Sequence, residues 1–150
     1  MTGDVERRAT SDRAEISALV NAYARLLDAG DLDGVAGLFE HAVWRADSTG
    51  QEARGVAEVR AVYDGVRLYD GTPRTKHLIT NLDVQVEPGG AIATCRSSFT
   101  VLQGVTPGEP IEVVLSGQYH DRFVHTEGRW HFAERRIVVD LVGDLSRHYR

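Results

Sequence analysis

The sequence has one cysteine, Cys95, and it has neither a long apolar run nor a long run of one charge. A single cysteine excludes an internal disulfide and any metal site built from several thiolates, so we expect a cytoplasmic location. A membrane-spanning helix needs about 20 consecutive apolar residues, and no stretch approaches that length. The polar residues 1–8 also lack the apolar segment of a signal peptide.

Other absences limit the partners. The net charge of −5 is spread over 17 basic and 22 acidic side chains, which gives no basic surface for nucleic acid or an anionic membrane. No glycine-rich phosphate loop or nucleophile elbow is present, and we expect no cofactor. His120, His125 and His131 alternate with charged residues, which is typical of a solvated sheet face, so we also expect no bound metal.

The first half of the chain has a helical pattern. With 42% hydrophobic residues, 150 residues can bury one core, and we predict one domain over residues 11–150 after a flexible tail at 1–10. The pair Ser11-Asp12 with Glu15 predicts a helix start, and apolar residues at helical spacing continue to Ala29-Gly30. We predict further helices over 31–39 and 55–69, a short strand over 42–46 and a turn over 47–50.

The second half alternates apolar and polar residues, with turn signals between long segments. This pattern predicts strands at 76–86, 90–103, 111–126 and 129–141, joined as antiparallel hairpins. Helices followed by such strands indicate an α+β fold in which the helices cover one face of a curved sheet and leave a concave pocket. Outward apolar residues such as Val114 and Val124 predict assembly into a homodimer or homotrimer.

Two residues are candidates for acid–base chemistry. Asp28 lies in the last turn of the first helix, at the edge of its apolar stripe, and could equally be a solvated helix-end carboxylate. His77 begins a strand and could be a structural or surface histidine instead of a general base. If Asp28 held one imidazole nitrogen, the other nitrogen would be free to remove a substrate proton. The two residues are therefore predicted to act as a pair.

Several short motifs occur in an order that resembles the SnoaL-like branch of the nuclear transport factor 2-like superfamily. The resemblance covers residues 10–145. It rests on Tyr23-x4-Asp28-x2-Asp31, Leu38-Phe39, His77-x3-Asn81, Gly117-x-Tyr119-x-Asp121 and Gly128-Arg-Trp130-x-Phe132-Ala-Glu-Arg135-Arg136. It implies a cone-shaped α+β barrel, in which a curved antiparallel sheet wraps around the N-terminal helices and encloses a pocket.

The resemblance also implies site residues and an activity. The dehydratases and the dehydrochlorinase of this branch use an Asp–His dyad, matched here by Asp28 and His77, to abstract a proton without a cofactor. Tyr23 matches a polar pocket residue, although it also fits the apolar core. Arg135 matches an inward cation, but strict alternation turns Arg136 inward instead, so Arg135 needs a β-bulge to face the pocket.

Three further residues are assigned to the pocket. Tyr119 shares the parity of Leu115 and lines either the pocket or the core, and Trp44 is assigned to core and pocket wall. The family's dehydratases carry a second histidine or acid midway along the strand 90–103, where this chain has Arg96-Ser97-Ser98. Ser97 is the candidate there, able to orient a substrate or a water molecule.

Two classes of function follow. The favoured hypothesis is a small cofactor-independent lyase, isomerase or cyclase, similar to polyketide cyclases or dehydratases, acting on a largely apolar, ring-bearing molecule. The alternative is a non-catalytic module for small-molecule binding, dimerisation or assembly, because the same fold serves as a dimerising subunit in other proteins. In that case Asp28 and His77 are expected to be separated by solvent or collapsed into the core.

Overall fold

The computed structural model describes all 150 residues as three α-helices and six β-strands. The helices α1, α2 and α3 span Thr2–Ala29, Leu32–Gly37 and Gly55–Val62. The strands β1 to β6 span Val43–Ala46, Gln51–Arg54, Thr75–Val86, Ile92–Gln103, Glu112–Thr126 and Arg129–Val142.

Helix α1 begins nine residues earlier than the sequence pattern predicted, at Thr2 rather than Ser11. Residues 2–10 continue it as an almost wholly exposed extension, stabilised by an Arg7–Asp4 ion pair and by the Thr10 hydroxyl, which donates to the Glu6 carbonyl at 2.9 Å. Asp12 does not cap a helix start. It is buried and accepts a hydrogen bond from the Trp130 indole N–H at 2.9 Å, so the supposed cap links α1 to β6.

The end of α1 is where the sequence predicted it. Gly30 adopts a left-handed conformation with φ of 77°, and the N–H groups of Gly30 and Asp31 donate to the carbonyls of Leu27 and Leu26. A Cβ atom on Gly30 would lie 2.0 Å from the Gly71 carbonyl oxygen, so only glycine fits here. Asp31 then caps α2 by accepting the Gly34 N–H at 2.8 Å.

Two short elements differ from the prediction. The turn at 47–50 is present, but it joins β1 to a strand, β2, that was not predicted because its sequence Gln-Glu-Ala-Arg is polar and mostly exposed. The helix predicted over 55–69 ends at Val62 and continues only as a 3₁₀ turn, Tyr63–Gly65.

The sheet has the order β2-β1-β6-β5-β4-β3 and is open at both edges. The four long strands are antiparallel neighbours, as predicted, but β1 pairs with β6 in parallel, so the sheet is mixed. This long-range pairing has no signal in local sequence. β-Bulges interrupt the long strand pairs, and such bulges increase the local bend and twist of a sheet. The fold is of the α+β class, with a curved sheet around the helices.

One β-bulge overturns a surface prediction. Val114 has no partner between the pairs Val101–Leu115 and Leu102–Val113, and this extra residue turns the Val114 side chain into the core, where it is 1% exposed. Its neighbour Val113 is turned outwards and is 57% exposed. Val114 therefore contributes no outward apolar surface, whereas Val113 does.

A single apolar core lies between the helices and the concave face of the sheet, and α1 packs across β3. None of the helices combines the length and hydrophobicity needed to cross a bilayer.

Candidate active site

A cavity of about 440 Å³ lies between the helices and the concave face of the sheet. Fifteen of its twenty lining residues are hydrophobic, and none is Asp, Glu, Lys or Arg. Exposed residues of the β1–β2 hairpin, Ser48, Thr49 and Gln51, mark its rim. The polar side chains at its walls include Tyr23, Tyr63, His77 and His148.

Asp28 lies beside the start of β3 and accepts three hydrogen bonds there. The Thr75 hydroxyl donates to Oδ1 at 2.8 Å, and the His77 backbone N–H donates to Oδ2 at 2.9 Å. The third contact joins Oδ1 to His77 Nδ1 at 2.6 Å. Because β3 is an edge strand, its free N–H is available for Asp28, and the carboxylate aligns both the strand and the imidazole ring.

The Asp28 contacts decide its charge state. Burial opposes ionisation of the carboxyl, but the hydrogen bonds and positive charge of His77, with the Thr75 hydroxyl, outweigh it and lower the pKa of Asp28. The side chains of His77 and Asp28 are only 5% and 12% exposed. With Asp28 ionised, the proton of the neutral imidazole is assigned to Nδ1, which leaves Nε2 with a free lone pair on a ring that lines the cavity.

Tyr23 lines the cavity and is also part of the apolar core. Its hydroxyl lies 2.6 Å from the hydroxyl of Tyr63, which also lines the cavity. Burial raises the pKa of Tyr63 well above its ordinary value, so its phenol stays neutral. Tyr63 was not singled out in the sequence, because a tyrosine at the end of a helical stripe has the signature of a core residue.

Arg135 points inwards because of a β-bulge at Ala133, which is left without a partner between the pairs Arg122–Glu134 and Phe123–Phe132. Its guanidinium is fully buried and donates two hydrogen bonds to Asp121, both at 2.8 Å. Burial disfavours the charged form, but Asp121 outweighs it and raises the pKa of Arg135 above its ordinary value.

The aromatic rings around Arg135 separate it from the cavity. The guanidinium carbon lies 4.2 Å from the ring centre of Tyr23 and 3.8 Å from that of Tyr119, and both rings line the cavity while Arg135 does not. Arg136, the competing candidate, points away from the core and pairs with Asp47. The inward residue is thus Arg135, and it lies behind the cavity wall.

The remaining predicted residues fall on both sides of that wall. Tyr119 lines the cavity and stacks on Phe99 with 4.5 Å between ring centres. Trp44 also lines the cavity, beside Tyr63. Ser97 faces inwards but does not reach the cavity, and its buried hydroxyl has no hydrogen-bond partner.

The C-terminal segment 145–149 contributes residues that the sequence pattern did not indicate. Leu145, His148 and Tyr149 line the cavity, and His148 is 3% exposed. Burial and the neighbouring His77 lower the pKa of His148 to about 4, with Asp28 opposing in part. The segment lies outside every predicted strand, so only its long-range contacts bring it to the site. No group of three or more His, Cys, Asp or Glu side chains is arranged to hold a metal ion.

Comparisons with known proteins identify one family and many solved structures with the same fold. The model of the SnoaL-like domain family matches residues 8–136. A variant of Rv3472, a Mycobacterium tuberculosis protein of unknown function, is 29% identical with a TM-score of 0.73, and the match covers 92% of this chain and 76% of that one. No curated protein matches the sequence.

Two structures from Novosphingobium aromaticivorans share the fold at lower identity. A candidate scytalone dehydratase is 24% identical with a TM-score of 0.69, and the match covers 96% of this chain and 91% of that one. The β subunit of a candidate aromatic-ring-hydroxylating dioxygenase is 16% identical with a TM-score of 0.73, and the match covers 94% and 97%. The same fold is thus found in a candidate enzyme and in a subunit of a larger assembly.

Proposed function

Since this chain belongs to the SnoaL-like family, we propose that it is a small cofactor-independent lyase, isomerase or cyclase that removes a proton from an apolar, ring-bearing molecule. One observation carries the proposal. His77 is hydrogen-bonded to Asp28 through Nδ1, at 2.6 Å, while its ring lines an apolar cavity large enough for such a molecule. A solvent-separated or collapsed pair, expected of an assembly module, would not have this arrangement.

The proposed chemistry begins at His77. Nε2 takes a proton from a carbon next to a carbonyl group of the substrate, and the electrons of the broken C–H bond form an enolate. The Asp28 carboxylate keeps Nδ1–H oriented and stabilises the imidazolium that results. The enolate then expels a leaving group such as hydroxide, which takes the proton and leaves as water, or it regains the proton at another carbon, which is isomerisation.

Tyr23 and Arg135 have supporting roles in this proposal. The Tyr23 hydroxyl, paired with that of Tyr63, donates to the substrate oxygen on which negative charge develops. Arg135 acts through the rings of Tyr23 and Tyr119, which it holds from behind, and is therefore a positioning residue rather than a contact to substrate.

Hydrogen–deuterium exchange tests the proposal before the natural substrate is known. The protein is incubated in D₂O with a panel of cyclic ketones such as 1-tetralone, and deuterium entering next to the carbonyl is followed by NMR. A positioned general base contributes about 10²- to 10⁴-fold, so His77→Ala and Asp28→Asn should each slow the enzymatic exchange by orders of magnitude. His120→Ala, on the outer face of the sheet, is the matched control and should exchange like the wild type. Equal exchange rates in His77→Ala and the wild type would reject His77 as the base.

A homodimer or homotrimer is the second part of the proposal. Apolar side chains at neighbouring ends of β5 and β6 are exposed in one chain, with Val113 57% and Leu141 69% exposed, and a second copy would cover them. Light scattering on a size-exclusion column measures the mass. A monomer at micromolar concentration would contradict assembly and would leave the proposed chemistry unaffected.

A further inference from the structure

We infer that His148 is a second polar group of the cavity and that its Nε2 donates a hydrogen bond to an uncharged oxygen of the bound molecule. The inference rests on the proposed function, because it concerns a ligand of the same cavity.

The His148 ring has only one nitrogen available to a ligand. The residue is 3% exposed, and its ring lines the cavity. Nδ1 is enclosed by protein atoms and has no hydrogen-bond partner. A buried N–H without an acceptor is costly, so the proton of the neutral ring is assigned to Nε2. That leaves an N–H donor without a protein acceptor on a ring at the cavity wall.

Backbone hydrogen bonds fix the position of His148. Its own N–H donates to the Leu145 carbonyl, and its carbonyl accepts the Arg67 N–H, both at 2.9 Å. The next residues are held in the same way, since Tyr149 pairs with Val66 and the Arg150 N–H donates to the Gly65 carbonyl at 2.8 Å. The backbone is therefore fixed at His148, and the burial of its side chain keeps the ring at the cavity wall.

The cavity surroundings define the class of ligand. None of the lining residues is Asp, Glu, Lys or Arg, and the nearest buried cation, Arg135, is neutralised by Asp121 behind the wall. A carboxylate or phosphate would lose its hydration there without gaining a counter-charge. The lowered pKa of His148 keeps its ring neutral at physiological pH, which suits a carbonyl or hydroxyl oxygen. The expected ligand is a ring ketone or alcohol.

Three bicyclic probes of similar size test this inference by calorimetric titration at pH 7. They are 1-tetralone, which carries one carbonyl oxygen, tetralin, which lacks that oxygen, and 1-naphthoate, which carries a charge. His148→Phe keeps an aromatic ring but loses the donor, His148→Gln keeps an N–H donor, and His120→Phe changes a histidine outside the cavity. Tm and circular dichroism establish that each variant folds.

We expect His148→Phe to weaken 1-tetralone binding roughly threefold to tenfold and to leave tetralin binding unchanged. His148→Gln should recover part of the preference for 1-tetralone, His120→Phe should match the wild type, and 1-naphthoate should bind most weakly. The inference is overturned if the ratio of 1-tetralone to tetralin affinity is the same in the wild type and His148→Phe, if 1-naphthoate binds best, or if no probe binds.

If His148→Phe does not fold, His148→Gln and the wild-type ring resonances decide the question. In ¹⁵N NMR of the wild type, 1-tetralone should shift His148 Nε2 and tetralin should not, and equal shifts would count against the inference. Failure of the proposed function is seen separately. In that case His77→Ala leaves deuterium exchange unchanged while the 1-tetralone preference still depends on His148.

Discussion

Two acid–base pairs with little exposure, Asp121–Arg135 and Asp28–His77, differ in almost every physical respect. Asp121 and Arg135 are 0% exposed and joined by two hydrogen bonds, and Arg135 carries a charge at any ordinary pH. Asp28 and His77 are 12% and 5% exposed, share one short side-chain contact, and include an imidazole ring that can take up and release a proton. The first pair has no atom at the cavity, whereas the second has a ring at its wall.

The difference teaches which buried pair can exchange a proton. Arg135 has no lone pair to offer, and Asp121 and two phenol rings enclose it, so it can only hold neighbouring groups in place. His77 has one nitrogen bound to Asp28 and the other without a partner. A matched family position alone would give Arg135 a direct contact with a ligand, but its burial excludes that contact, whereas the His77 ring lines the cavity.

The largest expected effect on stability comes from breaking the fully buried Asp121–Arg135 pair. Arg135→Met leaves the Asp121 carboxylate buried without a partner, so the free energy of unfolding should fall by about 3–5 kcal/mol. Urea unfolding followed by circular dichroism measures the loss. Arg136→Met, at the next position of the same strand, changes an exposed ion pair with Asp47 and should give no measurable loss. Equal losses in the two variants would mean that the buried Arg135–Asp121 pair does not stabilise the fold more than an exposed ion pair does.

The position of Arg135 could be predicted from the sequence only in part. The alternation of apolar and polar residues in β6 predicts that either Arg135 or Arg136 faces inwards, and that Arg135 does so only if the strand contains a β-bulge. Both inferences depend on neighbouring residues of one strand, so the local sequence is enough for them. It could not identify Asp121 as the partner, because this depends on the register of β5 against β6, or foresee the bulge that buries Val114. The parallel β1–β6 pairing and the approach of His148 to the cavity are long-range events with no periodic signal, so they needed the structure.

The second prediction concerns His148, which lines the cavity and can change its protonation state there, whereas Asp121 and Arg135 do not reach the cavity. Its pKa of about 4 lies below the ordinary value of about 6.5, so between these pH values the unfolded chain binds a proton that the native protein does not. Native stability should therefore fall as the pH drops from about 6.5 to about 4, by up to about 3 kcal/mol from this residue.

Unfolding free energies at several pH values measure this slope in the wild type and in two variants. His148→Phe should have a clearly shallower slope, because the lowered pKa of His120 still contributes, while His41→Phe, at an exposed histidine, should keep the wild-type slope. An unchanged slope in His148→Phe would show that the ring is not held neutral by its burial.

The third prediction tests how the cavity pair is held in position. Gly30→Ala places a Cβ 2.0 Å from the Gly71 carbonyl at a residue with φ of 77°, so it should cost roughly 2 kcal/mol of unfolding free energy. Because Asp28 lies two residues earlier, ketone exchange should slow as well. Gly37→Ala, a helical position with no atom within 4 Å of the added carbon, should be neutral or slightly stabilising. A normal rate of deuterium exchange in a folded Gly30→Ala protein would show that the conformation of the helix end does not control the position of Asp28.

The smallest expected effect on stability belongs to Asp28→Asn, although its effect on exchange should be large. Asparagine keeps one acceptor oxygen, which can serve the Thr75 hydroxyl and His77 Nδ1, but it loses the charge and the second oxygen that accepts the His77 backbone N–H. The cost at pH 7 should therefore be about 1–2 kcal/mol. The pKa of Asp28 is lowered in the folded protein, so this contribution is complete above the ordinary value of about 4 and disappears as the pH falls through the lowered value. Urea unfolding at pH 7 and pH 3 should therefore show a gap between variant and wild type that narrows in acid. If Asp28→Asn lost as much unfolding free energy as Arg135→Met, and the loss did not depend on pH, the Asp28–His77 pair would mainly stabilise the fold. The two pairs would then not differ in the way argued here.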